Sequence, residues 1–313
     1  MTISPTPTAT SSASPTTPGI TLGANQHGKA EVRLVKVDRG TPTHVLHDLN
    51  VTTQLRGDFA AAFTDGDNVH VHATDTQKNV VYAKARELGV TSPEAFLLDL
   101  AAHWREQPWV DGSVAKAEQY DWERIPVNGH SFVRKGQETR TAVVNTDGSD
   151  SFVVSGLTDL VVLKSTGSEF HGFPRDGYTL LQETDDRILA TSVTAWWRWS
   201  SDPAEWPTDW NAAYEEIREI LLTVFADLHS LALQQTIFEM GRAVMETYAA
   251  VAEFRISCPN KHHFLVDLEP FGLENPGEVF FAADRPYGLI EATLHREGVA
   301  EEPRAWASVP AFA

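Results

Sequence analysis

Hydrophobic and polar residues alternate along several segments of the chain, the pattern of half-buried strands. The first two such segments are residues 29–37 and 44–56, separated by a turn that contains Gly40 and Pro42. Successive side chains of a strand point to opposite faces of a sheet, so this alternation turns one face toward a core. The sequence therefore predicts that the folded chain begins with a pair of strands.

Apolar residues recur at helical spacing in four other segments. Residues 74–88 are predicted to form a helix that ends before Gly89, and a second helix follows the N-cap Ser92. Two more helices are predicted, one after Asp209 and one around residues 233–244. Further strands are predicted at residues 112–124, 131–144, 152–164, 187–199, 253–268, 279–282 and 289–295. Each half then reads strand, strand, helix, helix, strand, strand, without the regular βαβ alternation of a doubly wound sheet.

The most turn-like segment in the middle of the chain, residues 145–150, is the predicted domain boundary. It separates a first domain of residues 21–148 from a second of residues 149–300, which a tail of residues 301–313 follows. Residues 1–20 are rich in Ser, Thr and Pro and carry no charge, so they are predicted to be a disordered leader.

Charge and cysteine content exclude several classes of protein. The 313 residues include 25 Lys and Arg against 43 Asp and Glu, a formal charge of −18. So negative a chain repels nucleic acid, and an anion site in it needs local cations. Cys258 stands alone, which rules out an intramolecular disulfide and a multi-cysteine metal site.

Targeting signals are not recognisable in the sequence. The start has neither the basic nor the apolar region of a signal peptide, and no run of about 20 apolar residues would span a membrane. The final residues, 309–313, differ from the Ser-Lys-Leu type of peroxisomal signal. A cytoplasmic protein is expected.

One stretch, residues 257–268, combines a turn at Pro259 with an apolar run. As a single strand it would point Asn260 and His262 to the same side, at the mouth of an apolar surface. The residues alone favour a hydrogen-bonded core histidine at a strand end as the interpretation of His262. The pair His70 and His72 could suggest a metal site, but two histidines are too few ligands and no metal is predicted.

Three segments resemble those of the urate oxidases, in the right order and at the right spacing. They are Val71-His72-Ala73-Thr74-Asp75-Thr76-Gln77-Lys78-Asn79, Leu163-Lys164-Ser165-Thr166-Gly167-Ser168-Glu169-Phe170-His171-Gly172-Phe173 and Pro259-Asn260-Lys261-His262-His263-Phe264. The similarity extends from about residue 22 to about residue 296. It implies an α+β fold of tandem T-fold (tunnelling-fold) domains, antiparallel sheets with helices on one face. It also implies a homotetramer with active sites at subunit interfaces.

The resemblance implies a reaction as well. Urate oxidases use dioxygen and water to convert urate to 5-hydroxyisourate and hydrogen peroxide, with no metal or organic cofactor, as a step of purine degradation. The absence of a Gly-rich dinucleotide motif from the sequence is consistent with such chemistry. Urate itself is then the electron donor, and the protein must deprotonate and position it.

By resemblance, the catalytic residues are Lys29, Thr74 and His262. A lysine at its ordinary pKa of about 10.4 cannot act as a base at neutral pH, so burial or a nearby cation would have to lower that pKa. Thr74 would relay protons between Lys29 and the substrate. Local sequence alone instead favours an exposed edge-strand charge for Lys29 and a helix N-cap for Thr74.

The resemblance also implies a set of substrate-binding residues. They are the backbone of Thr74 and Asp75 from a neighbouring subunit, the ring of Phe170, the guanidinium of Arg187, the backbone of Leu233, the side chain of Gln234, and Asn260 beside the oxygen pocket. Local sequence leaves other interpretations open: Arg187 could pair with Asp185 or Asp186, Phe170 could be ordinary packing, Asn260 a turn residue, and Gln235 could replace Gln234.

Three alternatives to a urate oxidase are open at this point. The first is a non-catalytic purine- or pterin-binding homologue on the same fold. The second is a metal-dependent hydrolase that uses His70, His72, His262 and His263, and the third is a two-domain protein with no site. Retention of the lysine, threonine and histidine favours the enzyme, because a binding protein has no need of proton transfer.

Overall fold

The structure is a computed structural model that describes residues 19–283 and 285–309. Its strands are β1 (His27–Asp38), β2 (Val45–Gly57), β3 (Val110–Arg124), β4 (Phe132–Asp147), β5 (Asp150–Lys164), β6 (Leu189–Trp199), β7 (Val251–Asn260), β8 (His263–Leu265), β9 (Phe280–Ala282) and β10 (Gly288–His295). Its α-helices are α1 (Ala60–Thr64), α2 (Thr74–Glu87), α3 (Pro93–Arg105), α4 (Trp210–Asp227) and α5 (Leu233–Thr247).

Eight strands form one sheet in the order β1-β2-β3-β4-β5-β6-β7-β10, and every neighbouring pair is antiparallel. Strands β8 and β9 pair separately, beside the end of β7. Within the described residues, β1 and β10 are the two edges of the large sheet. An edge strand exposes unpaired N–H and C=O groups that can bind another strand.

Helices α2 to α5 cover one face of this sheet. Their apolar stripes supply the main core, with Val81, Leu97, Leu100, Ile217, Leu221, Ile237 and Val244 all buried. Two predicted caps form where expected: the Ser92 hydroxyl accepts a hydrogen bond from Ala95 N, and the Asp209 carboxylate accepts from Asn211 N and Ala212 N. The predicted α+β class, with an antiparallel sheet and helices on one face in two tandem halves, is confirmed.

The two halves share a β-bulge in their first strand as well as the order of their strands and helices. The first strand of each carries a β-bulge, and a non-glycine residue with positive φ lies at each bulge: Glu31 at 58° and Asp159 at 58°. The halves join at a tight hairpin in which Asp147 pairs with Asp150 and Gly148 has φ 57°. The sheet is continuous across this hairpin, and the domain boundary at 148/149 stays a prediction.

A buried polar network crosses between the halves. Arg140 of β4 donates to the carboxylate of Glu94 on α3 at 2.7 Å, with side chains only 7% and 1% exposed. Ser155 of β5 donates to the same carboxylate, and the Trp199 indole donates to Ser155. Arg140 also donates to Asn211 at the start of α4. Each charge is paired and hydrogen-bonded, the condition under which buried charges are tolerated.

The other face of the sheet is covered in part by a C-terminal segment that includes a short 3₁₀ helix, Pro303–Trp306. Its residues Ala305, Trp306 and Val309 pack in a second core with Val143 and Phe152 of the sheet. The Trp306 indole donates to Glu253, and the amide of Asn145 donates to the carbonyls of Ala305 and Ala307. Much of the predicted tail is therefore packed structure.

Three sequence predictions were wrong in detail. The predicted strand 253–268 is interrupted: Lys261 N to Ala190 O is still in register with the pairing of β7 to β6, and after it the chain leaves the large sheet and pairs with β9. The short helix α1 was not predicted. The N-cap of α2 is Ala73, not Thr74, and makes no side-chain capping bond. The predicted leader, through residue 18, and the final residues 310–313 lie outside the described residues.

No helix in residues 19–283 or 285–309 combines the length and apolar character needed to cross a membrane.

The buried ion pair of Glu94 and Arg140 predicts an effect on the free energy of unfolding. Glu94→Ala leaves the Arg140 guanidinium buried without its carboxylate, which should lower the free energy of unfolding by about 3–5 kcal/mol. Glu239→Ala is the matched control, because Glu239 pairs with the half-exposed Arg242 and its loss should cost about 1 kcal/mol or less. Denaturant unfolding of both variants measures the difference. Equal, small losses would contradict the structural importance of the Glu94 network.

Candidate active site

The residues predicted for the first half of the site lie at one edge of the sheet. Lys29 of β1 is half-buried and stands opposite Thr53 of β2, immediately before the bulge. A Cβ at the preceding Gly28 would lie 1.9 Å from Thr53 O, so only glycine fits there. Bulges change the direction of neighbouring side chains, and this one lies directly beside Lys29.

Thr74 and Asp75 open α2 close to Lys29. The carboxylate of Asp75 accepts from Lys78 and Asn79. Its pKa is lowered, first by the Lys78 hydrogen bond and, among smaller causes, by the charge of Lys29, which places that ammonium group near the helix start. Lys29 and Thr74 thus belong to one group of residues.

A buried polar contact links the two elements of this group. Thr53, the strand partner of Lys29, donates its hydroxyl to the Gln77 amide oxygen at 3.1 Å, and both side chains are buried. Gln77 lies three residues after Thr74, on the same side of α2. Sequence analysis missed this pair; the signal was a polar residue at a position where the alternation of Val51 and Leu55 predicts burial.

The other predicted residues lie together near the opposite edge. The guanidinium carbon of Arg187 is 5.1 Å from the centroid of the Phe170 ring. Arg187 is half-buried, burial lowers its pKa, and its terminal nitrogens have no hydrogen-bond partner among the described residues. The predicted alternative, an ion pair with Asp185 or Asp186, is wrong: Asp185 pairs with His171, and Asp186 accepts from Thr166 and Gly167.

His262 lies in the same group as Arg187. Its pKa is lowered from 6.5, first by burial and then by the positive charges of Arg187 and His263. The ring is 5.8 Å from that of Phe264, and the backbone on either side is held by Lys261 N to Ala190 O and Ala283 N to His262 O. Asn260 ends β7, opposite Gly288 of β10. Because the pKa of His262 is lowered from 6.5, its ring stays neutral around pH 7.

Leu233 and Gln234 form the start of α5. Leu233 is buried, whereas the Gln234 side chain is exposed. The neighbouring Gln235 is already occupied, because its amide oxygen accepts from Leu231 N at 2.9 Å. This contact favours Gln234 over Gln235 as the glutamine available to a ligand.

The helices α2 and α5 share a feature that α3 and α4 lack. Their N-cap residues are Ala73 and Ala232, and neither makes a side-chain capping bond. The first N–H groups of a helix have no internal acceptor, so at α2 and α5 they are free to bind an anion. Helices α3 and α4 are capped by Ser92 and Asp209 instead. The short helix α1 is uncapped as well, at Phe59. Of the four helices that cover the sheet, the two uncapped ones, α2 and α5, are the two that carry predicted site residues.

The two groups of residues do not meet within one chain. Lys29 lies on β1 and His262 follows β7, six strand positions apart in the sheet. At about 4.8 Å per strand, the separation along the sheet is about 29 Å. A cavity of about 750 Å³ is lined by Leu22, Arg56, Phe152 and Arg304 among others, and contains residues of neither group. The single chain therefore does not bring the two groups together around one cavity.

The candidate metal ligands are not themselves predicted site residues, although one cluster flanks Phe170 and Arg187. Among the described residues, Glu169, His171 and Asp185 have ligand atoms within 4.8 Å of one another, but His171 and Asp185 are exposed and already pair with each other at 2.9 Å. His70 stacks on Trp109 at 5.3 Å, and His72 also packs on Trp109. Both histidines are thus engaged in aromatic contacts.

Comparison with known proteins gives one consistent result. The family model named uricase matches residues 25–145 and 153–291. The uricase of Arthrobacter globiformis is 58% identical over 294 residues, 94% of this chain and 96% of that protein. The uricase of Dictyostelium discoideum is 36% identical over 284 residues, 88% of this chain and 98% of that protein.

Solved structures agree with the sequence comparison. The crystal structure of uricase from Arthrobacter globiformis matches with a TM-score of 0.88 at 58% identity, covering 92% of this chain and 99% of that one. The match includes both halves of the sheet and the helices between their strands. On these grounds the chain belongs to the uricase family.

Proposed function

We propose that this protein is a urate oxidase that needs no metal or organic cofactor. Urate gives two electrons and two protons to dioxygen, which becomes hydrogen peroxide, and the oxidised purine takes up water to become 5-hydroxyisourate. Besides family membership, the observation that carries this proposal is the pair of uncapped helices, α2 and α5, one in each group of site residues. Both present free N–H groups suited to a flat anion.

Arg187 supplies the charge that holds the anion. The chain carries a formal charge of −18, so a local cation must outweigh the repulsion of the rest of the molecule. The half-buried guanidinium has two terminal nitrogens without hydrogen-bond partners in residues 19–283 and 285–309, and they can donate two parallel hydrogen bonds to one edge of urate. Phe170 stacks on the purine ring, while Leu233 N–H and the Gln234 amide bind its other polar edge.

Lys29, Thr74 and His262 handle protons. Thr74 offers its hydroxyl as a relay between Lys29 and substrate, and its backbone, with that of Asp75, binds urate at the start of α2. His262 is neutral near pH 7, since burial lowers its pKa, and a neutral imidazole can accept a proton. Asn260, at the end of β7, faces the position of dioxygen or water above the ring.

A second copy of the chain completes the site. Lys29 and Thr74 of one subunit join Arg187 and His262 of another when the open edges β1 and β10 pair and close the sheets into a barrel. Two such dimers make the proposed homotetramer, with each active site at a subunit interface. The separation of about 29 Å along the sheet supports this arrangement, because one chain cannot bring the two groups together.

The first test is turnover by chelator-treated protein. Addition of urate in air should consume dioxygen and release one hydrogen peroxide per dioxygen, followed with an oxygen electrode and a peroxide assay. Tight urate binding without turnover would favour the purine- or pterin-binding alternative. Consumption of urate without uptake of dioxygen, abolished by the chelator and restored by a metal, would favour the metal-dependent hydrolase.

The shared site predicts complementation between two inactive variants. Lys29→Met should depress kcat more than urate binding, whereas Arg187→Ala should weaken binding by about 2–5 kcal/mol. When both variants are co-expressed and mix at random, about one quarter of the sites combine an intact Lys29 with an intact Arg187. Activity should recover to about that fraction of the wild-type rate. Co-expression that restores nothing would contradict a site shared between subunits.

The lowered pKa of His262 predicts how kcat/KM depends on pH. Its folded pKa lies below 6.5, so the neutral form persists as the pH falls to 6.5 and is lost only at lower pH, when the ring gains a proton. The kcat/KM profile between about pH 5 and pH 8 should therefore fall on the acid side, with a midpoint below 6.5. His262→Gln should remove this decline, and His263→Gln should keep it. An unchanged acid limb in His262→Gln would exclude His262 as the group responsible.

A further inference from the structure

Beneath Arg187 and Phe170, three short segments of chain join through their backbones, outside the large sheet. Phe170 and Thr184 exchange two hydrogen bonds, of 2.9 and 3.2 Å, and Arg187 N donates to Ser168 O at 2.8 Å. On the other side, Glu169 N donates to Ser230 O and Ser230 N donates to Gly167 O. Residues 167–170 therefore lie between the segment that carries Arg187 and the segment that leads into α5.

Ser168 holds Arg187 at two points. Its carbonyl accepts from the Arg187 backbone, and its hydroxyl accepts from the guanidinium Nε at 3.4 Å. Ser168 is 0% exposed, so its hydroxyl contacts protein and not a ligand. Use of Nε in this bond leaves the two terminal nitrogens of Arg187 available to a ligand.

A pair of buried hydroxyls, those of Ser230 and Thr236, extends the network to α5. Thr236 donates to the Ser230 hydroxyl at 2.8 Å, and both residues are 0% exposed. Thr236 lies at the end of the first turn of α5, three residues after Leu233. Its bond therefore fixes the uncapped end of the helix relative to Ser230. Its remaining contact is a weaker one to Ala232 O at 3.3 Å.

Buried hydroxyl groups lower stability unless they are hydrogen-bonded, and a methyl or methylene group would fill the same space without that requirement. All three hydroxyls lie where segments that carry Phe170, Arg187 and Gln234 meet. A stabilising role alone would not require this placement. The contacts instead set the spacing between the guanidinium, the stacking ring and the helix start.

We propose that Ser168, Ser230 and Thr236 are positioning residues that hold Arg187, Phe170 and the first turn of α5 as one rigid clamp for a flat purine anion. The inference rests on the proposed function, because it names what aligns that site. None of the three touches substrate. Their removal should weaken urate binding and leave the proton chemistry of Lys29 and Thr74 in place.

Thr236→Val tests this proposal, since it keeps the shape of the side chain and removes the hydroxyl. We expect KM for urate, and its dissociation constant measured by titration without oxygen, to rise about 10- to 100-fold, with a smaller change in kcat. Thr236→Ser retains the hydroxyl and should restore both constants. Ser168→Ala is a second test variant, because it removes the hydroxyl that accepts from Arg187 Nε. It should raise both constants in the same way.

Thr247→Val is the matched control. Thr247 lies on the same helix and its hydroxyl likewise bonds to a carbonyl four residues earlier, Ala243 O at 2.9 Å, but it is far from the clamp and exposed. It should leave KM unchanged. If wild-type protein oxidises urate while Thr236→Val and Ser168→Ala behave like Thr247→Val, the clamp proposal is wrong and the function stands. If wild-type protein does not oxidise urate, the function itself fails.

Discussion

Backbone pairing across one unbroken sheet is the constraint on which the rest of this molecule depends. Because β1 and β7 are six positions apart, no rotation of a side chain or movement of a loop joins Lys29 to His262 in a single subunit. Edge pairing between copies removes the open N–H and C=O groups and, in the proposed assembly, also brings the two groups of residues together. Folding, assembly and activity would then depend on the same strand edges.

Local electrostatics work against the charge of the whole chain. A protein at −18 attracts an anion only where cations and helix N-termini are concentrated, and α2 and α5 provide such positions by starting at Ala73 and Ala232. A Ser or Asp at either position would stabilise the helix and occupy the N–H groups that a ligand needs. In the proposed site, the missing caps thus exchange a little helix stability for binding capacity.

Much of the fold follows from local patterns, and the assembly of the site does not. Helical spacing identified the core residues of α3 and α4, and their caps were visible as Ser92 and Asp209. The break after Asn260 was not predicted, although Pro259 signals a turn beside it. The chain leaves the register with β6 after the Lys261 N to Ala190 O bond and then pairs with β9, and that pairing is not encoded in the local sequence. Strand order decides which predicted residues are neighbours, and single-chain sequence patterns do not encode it. The Ser168, Ser230 and Thr236 contacts depend on that same long-range arrangement.

The C-terminal segment has a consequence for how the chain folds. Asn145 bonds to Ala305 and Ala307, which lie 160 and 162 positions later in the sequence. A ribosome makes residues 302–309 only after all ten strands of the described chain, and until then Val143 and Phe152 lack their cover. Closing such long loops is slow. During synthesis, the face of the sheet opposite helices α2 to α5 therefore exposes these apolar side chains. A chaperone would be expected to shield them.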